Sequence, residues 1–444
     1  MHHFEYQPNV WEFWNEICDK HTDLLWVPNE SNKSVPLKTN SWFDLTSVPN
    51  PNPSPDLIPE LSKCKVIKQS NMVCNQWRIQ PTDLQRQKLM TWFGYTRHIY
   101  NAAVNVVNEF VAAEDESLRI SSLTLSPLRE LVKIQLSREP WYQNMKVPFE
   151  VKDGPIRQMV SSLKSCRSNG NLEPFFKHIT KKETQTIVVR KGYANRTAIY
   201  GSTLGSSMKY RKTRGWNLGD NDFSHECKVM CKRTSNGYQF YLVTYERLPA
   251  IQHPVPHATM ALDPGVRTFM TGFSQKEVLH VCQDHKKINR LQRSIDRYNS
   301  RGQQWRANKL NEKITNMVKD MHWKTANYLC RNYATVIIPK FDTKEIAKIT
   351  STTKTNRDLY MLSHYKFRLR LIEKARQYGT TVIVGKENYT SKTCTVCGTI
   401  KDDLGSSKIY TCTTCDIVLD RDVNGARNIY LRNLVLNEKD KRLT

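Results

Sequence analysis

Residues 394 to 415 carry two short motifs, Cys394-Thr-Val-Cys397 and Cys412-Thr-Thr-Cys415, with fourteen residues between them. A Cys-x-x-Cys turn aims two thiolates at one point, and two such turns supply the tetrahedral sulfur set that Zn²⁺ prefers. Whatever the rest of the chain does, this stretch has to fold back on itself. The four sulfurs leave no ligand position for water or substrate, so the spacing predicts one structural Zn²⁺ on Cys394, Cys397, Cys412 and Cys415. The other eight of the 12 cysteines are scattered from Cys18 to Cys330. That spread argues against a disulfide framework and for reduced thiols in an intracellular protein.

The charge points to a partner. Lys and Arg number 67 against 42 Asp and Glu, a net +25. An excess of this size repels itself in a compact fold unless a polyanion neutralises it, so nucleic acid is the leading expectation. No apolar run is long enough to cross a bilayer, and the start, Met-His-His-Phe-Glu-Tyr, lacks a charged-then-apolar signal layout, so no membrane role is expected. A chain of 444 residues should form two to four packed units.

Residues 1 to 60 contain Trp11, Trp14, Trp26 and Trp42 and end in a ladder of Pro49, Pro51, Pro53, Pro55 and Pro59. Proline at that density blocks helix and inner strand, so the segment reads as an extended linker whose tryptophans dock elsewhere. A strand-like run from Asn75 to Gln80 leads to Thr82-Asp-Leu-Gln85, a capping-box sequence that opens a helix carrying Leu89, Trp92, Phe93, Ile99 and Tyr100. Helical pattern continues to about Ser168, broken at Pro127, Pro140 and Pro148. Alternation then predicts strands over 184–189 and 226–245, with Ser235-Asn236-Gly237 as a hairpin turn. Cys227, Val229 and Cys231 alternate on one strand face, which with His225 nearby suggests core packing rather than a second metal site.

Residues 256 to 444 read as α/β. Thr259–Leu262 and Thr268–Phe273 form strands around a Pro264-Gly265 turn, and a basic helical hairpin covers residues 283 to 332, with strands at Thr335–Ile338 and Thr381–Val384 around a helix that stops at Gly379. Three acids stand at element ends. Asp263 closes an apolar strand, Glu387 follows another, and Asp422 precedes a helix. A buried strand-end acid is costly unless it binds a cation or caps a turn, and acids before helices are commonly caps. Three acids converging from separate elements could instead hold two Mg²⁺ ions about 4 Å apart for phosphodiester cleavage.

The stretch from Glu387-Asn-Tyr389-Thr-Ser-Lys392-Thr-Cys394 through the four cysteines to Asp420-Arg-Asp422-x-Asn424-Gly-Ala-Arg-Asn-Ile resembles the C-terminal signature of TnpB, the RNA-guided nuclease of bacterial transposons. Asp263-Pro-Gly265 is similar to its first RuvC motif. Residues 75–81 with Arg97, Tyr100 and Asn101, and Pro155-Ile-Arg157-Gln158, resemble further TnpB segments, so the likeness spans roughly residues 75 to 440. One departure narrows it. TnpB usually carries its second acid where this chain has Pro339, and here the acid stands one strand later, at Glu387, as in Fanzor proteins, the eukaryotic and viral relatives. Asp342 and Glu345 are fallback acids.

The resemblance implies an α/β, multi-domain fold: an N-terminal extension and Pro-rich linker over 1–70, and a wedge β-barrel built from 71–81 and 176–255. It also implies a helical recognition insertion over 82–175, an RNase H-like RuvC nuclease domain over 256–393 and 416–444, and a zinc ribbon over 394–415. It implies Mg²⁺ ligation by Asp263, Glu387 and Asp422, and nucleic-acid contacts by Arg97, Tyr100, Asn101, Arg157, Gln158, Tyr389 and Lys392. The partners implied are a guide RNA and double-stranded DNA, with the protein a monomer in a ribonucleoprotein. The location implied is the nucleus for a eukaryotic or viral protein and the cytoplasm otherwise. The rivals are an RNA-guided binder without nuclease activity, an unguided RuvC-type nuclease, and a plain zinc-ribbon DNA-binding protein. Basic runs such as Lys209–Arg214 fit either nuclear import or RNA contact.

Overall fold

The structure is a computed structural model that describes residues 26–28, 33–39, 42–52, 65–66, 72–112, 123–171, 173–211, 218–219, 223–249, 251–255, 258–283, 285–341, 343, 347, 353–385, 387, 389–403, 405 and 407–441. The chain divides into two compact units, one of residues 72–247 and one drawn from 1–71 and 248–444. Both mix helix and strand. Trp11, Trp14, Asp342, Glu345 and much of the Pro ladder lie outside the described residues.

Three short strands come first: β1 (Val35–Thr39), β2 (Asp44–Pro49) and β3 (Lys65–Val66). The unit of residues 72–247 follows, with strands β4 (Met72–Gln80), β5 (Gln185–Val189), β6 (Lys209–Tyr210), β7 (Cys227–Thr234) and β8 (Gly237–Arg247). They form one antiparallel sheet in the order β5-β7-β8-β4-β6. Among the described residues its two edge strands, β5 and β6, do not pair with each other. The β7–β8 turn closes on Gly237 at φ 94°, a left-handed conformation that glycine adopts freely. Cys227, Val229 and Cys231 are 2%, 2% and 3% exposed, a core face as their alternation predicts.

Between β4 and β5 run α1 (Asp83–Ala112), α2 (Leu125–Leu136) and α3 (Phe149–Ser168). The capping box that starts α1 is formed: Gln85 N–H donates to the Thr82 hydroxyl at 3.3 Å, and Thr82 N–H to the Gln85 side-chain oxygen at 3.0 Å. The first turns of α1 pack Leu89, Trp92 and Phe93 on the sheet, while Ile99 to Val107 enter a separate core with Leu128, Val132, Met159 and Leu163.

The second unit is built on an eight-stranded sheet in the order β1-β2-β11-β10-β9-β12-β13-β3. Its central strands are β9 (Thr259–Pro264), β10 (Met270–Phe273), β11 (Glu277–Val281), β12 (Thr335–Pro339) and β13 (Thr381–Gly385). Strands β9, β10 and β11 are antiparallel neighbours, and β9, β12 and β13 are parallel neighbours. Alternation divides the side chains between two faces. Met260, Leu262, Val336, Ile338 and Val382 face one core with α4 (Lys286–Ser300), α5 (Gln304–Asn332), α6 (Thr353–Leu362) and α7 (His364–Ala375). Ala261, Ile337 and Ile383 face the other, against α8 (Arg421–Lys441).

The N-terminal segment corrects the sequence reading. Residues expected as an extended linker supply β1 and β2, with β2 paired to β11 from Leu45↔Val281 to Pro49↔Glu277. Trp26 donates its indole N–H to the Ser274 carbonyl at 3.0 Å and stacks on Phe273, and Trp42 packs beside the larger core. Gly379, predicted to stop a helix, has φ 70° and lies four residues beyond α7, where a Cβ would strike the Ile251 carbonyl.

Candidate active site and cysteine cluster

The parallel strands β9, β12 and β13 end at one sheet edge. Asp263 is the fifth residue of β9 and has the same parity as Ala261, which puts it on the α8 side of the sheet. Glu387 follows β13 two residues past Gly385 and keeps the parity of Ile383. Between them, Pro339 ends β12 opposite Gly385. The strand that carries no acid therefore separates two that do.

Asp422 enters from α8. The concern that it merely caps the helix is answered by its neighbour: the Asp420 carboxylate accepts the N–H groups of Asp422 at 2.8 Å and Val423 at 3.2 Å. Asp420 is the cap, and the Asp422 carboxylate is left for another task. One helical turn on, a Cβ added at Gly425 would collide with the Asp263 carboxylate. Only glycine lets α8 approach the strand end this closely.

Asp263 feels the charges of both other acids. Burial pushes the Asp263 carboxyl well above its usual range, and the charges of Asp422 and Glu387 push it further. Burial also raises Glu387, against the opposing pull of the Phe341 backbone N–H and of Arg368. Asp422 is raised by burial and by Asp420, with Arg421, Lys408 and Arg267 opposing. The Glu387 backbone is pinned by the Thr390 hydroxyl, which donates to the Glu387 carbonyl at 2.8 Å. Crowded, partly desolvated carboxylates of this kind are costly alone and are relieved by hard cations.

The four cysteines come together more tightly. Their sulfurs lie within 4.8 Å of one another, with Cys394 to Cys415 at 3.6 Å and Cys397 to Cys412 at 3.5 Å. Zn–S bonds of about 2.3 Å give a tetrahedron with edges of roughly 3.8 Å, which this cluster fits. Gly398 at φ 77° completes the first knuckle, and the hairpin of β14 (Ile409–Thr411) and β15 (Val418–Asp420) frames the second. Among the described residues this is the one group of His, Cys, Asp and Glu drawn in to single-ion distance.

Helix α8 ties the two sites together through residues that sequence reasoning quoted but gave no role. Asn424 donates to the Thr393 carbonyl at 2.8 Å and accepts the Thr395 N–H at 3.0 Å. Asn428 donates to the Thr390 and Thr393 carbonyls, and Arg427, fully buried, bonds the Thr395 hydroxyl at 2.7 Å and the Trp26 carbonyl. The available signal was three large polar side chains at positions 424, 427 and 428, closely spaced among the apolar Val423, Ala426, Ile429 and Tyr430.

The nucleic-acid candidates separate. Tyr100 is 8% exposed inside the α1 core, and Asn101 is used internally, accepting the Ile179 N–H at 2.8 Å. Both fasten the fold rather than present a surface. Arg157 and Gln158 are exposed and line a cavity of about 1020 Å³ with Arg190, Lys191 and Lys228. Arg157 also bonds the buried Asp153. Arg97 is half-buried, Tyr389 is exposed, and Lys392 lies 3.6 Å from Asp402.

Residues 364–429, which hold Glu387, the four cysteines and Asp422, match the family profile described as Cas12f1-like, TNB domain. Residues 76–115 match a profile described as a helix-turn-helix domain, and of these the described residues 76–112 form the end of β4 and then α1. A TnpB-like protein of Acanthamoeba polyphaga mimivirus is 27% identical over 91% of this chain and 84% of its own length. A Streptomyces pristinaespiralis protein named as a candidate RNA-guided DNA endonuclease is 24% identical over 81% of this chain and 89% of its own. The Cas12f1 chain of a cryo-EM structure with sgRNA and target DNA aligns over 81% of this chain and 98% of its own at 13% identity and a TM-score of 0.34, too loose to place residues.

Proposed function

We propose that this chain, a relative of the TnpB/Fanzor type, is an RNA-guided DNA endonuclease. The observation that carries the reading is the recessed Asp263 carboxylate, at the end of a central strand and within electrostatic reach of both Glu387 and Asp422.

The sheet supports it. An antiparallel run β11-β10-β9 continued by the parallel β12 and β13 is the strand order expected of an RNase H-like RuvC domain. The donor set supports it too. Three carboxylates are hard oxygen ligands suited to Mg²⁺, and two ions about 4 Å apart need a wider acid set than a single ion does. Asp263, Glu387 and Asp422 would hold the Mg²⁺. Bound there, Mg²⁺ would supply water activation and stabilisation of the leaving oxygen. The protein's part is to orient three carboxylates: β9 and α8 lock Asp263 against Gly425, Asp420 frees Asp422 from capping, and Thr390 fixes the Glu387 backbone.

The cysteine cluster would hold one structural Zn²⁺, a ribbon braced on α8. A net charge of +25 suits a guide RNA and a DNA target, with Arg97, Arg157, Gln158, Tyr389 and Lys392 as surface candidates for contact.

The test is to co-express the chain with its flanking genomic DNA, recover and sequence any bound RNA, and challenge the particle with matched double-stranded DNA. The reading expects guide-matched cleavage in Mg²⁺, none in EDTA, and none from Asp263→Asn. Tight matched binding without cleavage would make it a guided binder. Absence of bound RNA would overturn the guided reading.

A further inference from the structure

We infer that Arg368 is a positioning residue that orients the Glu387 carboxylate by gripping the loop after β12. The inference rests on the reading of Asp263, Glu387 and Asp422 as a metal centre and deepens it.

Arg368 donates a guanidinium hydrogen bond to the Lys340 carbonyl at 2.6 Å. The next residue, Phe341, stands two residues past the Pro339↔Gly385 pair, as Glu387 does on the neighbouring strand, and its backbone N–H and the Arg368 charge both favour the ionised Glu387 carboxylate. Phe341 holds φ 41°, in the left-handed region that a bulky side chain avoids unless its surroundings enforce it. The enforcing contact is visible. Its ring sits 4.5 Å from that of His364, which is 3% exposed and stacked at 4.9 Å on Phe269. His364 and Arg368 are four residues apart on α7, so one helix face carries both grips. His364 anchors the side chain of Phe341, while Arg368 anchors the carbonyl just before its amide.

Pro339 gives this arrangement its meaning. This residue at the end of β12 is not an acid, and the backbone of Phe341 two residues on favours the carboxylate of the neighbouring strand end. A metal-binding carboxylate works best when its orientation is fixed by a second layer of partners, and loss of such a partner typically costs 10–100-fold in metal affinity. Arg368 also lies over the Tyr365 ring at 5.4 Å and is part-exposed, so it can be replaced without opening the core.

The experiment uses the full chain with its co-purified RNA, in wild-type, Arg368→Ala, Arg368→Lys and Asp263→Asn forms. Mn²⁺ binding is titrated calorimetrically, and the Mg²⁺ dependence of matched-DNA cleavage is measured alongside. Arg368→Ala should weaken Mn²⁺ binding about 10-fold and raise the half-saturating Mg²⁺ concentration by a similar factor. Cleavage at saturating Mg²⁺ and DNA binding in EDTA should stay near wild type, and Arg368→Lys should recover part of the affinity. Unchanged Mn²⁺ affinity in Arg368→Ala, with Asp263→Asn still abolishing it, overturns the inference alone. Equal loss of cleavage at every Mg²⁺ concentration also overturns it, because that pattern marks a contact to the substrate. If Asp263→Asn binds Mn²⁺ like wild type, the metal-centre reading falls and this inference falls with it.

Discussion

The Asp263 carboxylate packs against the Cα of Gly425, so the end of β9 and the first turns of α8 share a space that no other residue could enter. This one contact joins the first acid to the helix that bears the third.

Gly425→Ala isolates it. In an ordinary helix interior the change would stabilise by up to about 1 kcal/mol. Here the added methyl meets a carboxylate oxygen, and overpacking of this kind costs about 1–3 kcal/mol. The substitution should therefore destabilise the second unit in denaturant melts, displace Asp263, and abolish cleavage while RNA binding persists. A stabilised and active Gly425→Ala protein would contradict the packing.

Asp263→Asn tests the acid cluster without metal. The folded-state values of Asp263, Glu387 and Asp422 all lie above their ordinary values, with burial the first cause in each. Groups raised on folding stabilise fully below the unfolded range, and that contribution is lost as pH rises through the raised values. In EDTA the wild-type melting temperature should accordingly fall on raising the pH above the ordinary carboxylate values of 3.8 and 4.5. Asp263→Asn should flatten that slope. Added Mg²⁺ should raise the wild-type melting temperature at pH 7.5 and leave the variant unmoved. Thermal melts across pH, with and without Mg²⁺, check both.

The legible parts of this molecule were local ones. The four-cysteine cluster, the Thr82–Gln85 capping box and the Gly237 turn are each written in a few adjacent residues, and each forms as read. Strands β1 and β2 were missed because nothing near them in sequence marks them. Among the described residues β1 pairs only with β2, and the partner that holds β2 in the sheet, β11, lies more than 220 residues away, while the prolines that follow argue for linker. The acids were visible one at a time, since a strand-end Asp is a local pattern. The reach of Asp263 to the charges of the other two was not, because it depends on how α8 docks on the sheet. Tyr100 and Asn101 show the same limit: polar residues on a long helix do not announce which face is inside.

Arg427→Met tests the brace between α8 and the cysteine segment. Arg427 is fully buried and bonds Thr395 and the Trp26 carbonyl. Hydrogen bonds from a charged group contribute about 1.5–3 kcal/mol each, so the substitution should cost at least that much. Hydrogen exchange should rise first over residues 390–395. Uniform protection there would mean the arginine is not the brace.

Chelation tests the sulfur site. The protein should carry one Zn²⁺ per chain by elemental analysis, and Cys412→Ser should lose it. Because no sulfur position is open to substrate, Zn²⁺ removal should loosen residues 394–420 in hydrogen exchange before it affects the eight-stranded sheet. Retention of Zn²⁺ by Cys412→Ser would contradict the four-thiolate assignment.

The central claim is that the acid on the strand after Pro339 completes the nuclease centre. It is tested most directly by guide-matched cleavage of double-stranded DNA in Mg²⁺ by the purified ribonucleoprotein, comparing wild type with Glu387→Ala. Cleavage by the wild type, with Glu387→Ala retaining RNA and DNA binding but no cut, is the result this account requires. Cleavage by Glu387→Ala at the wild-type rate would contradict it.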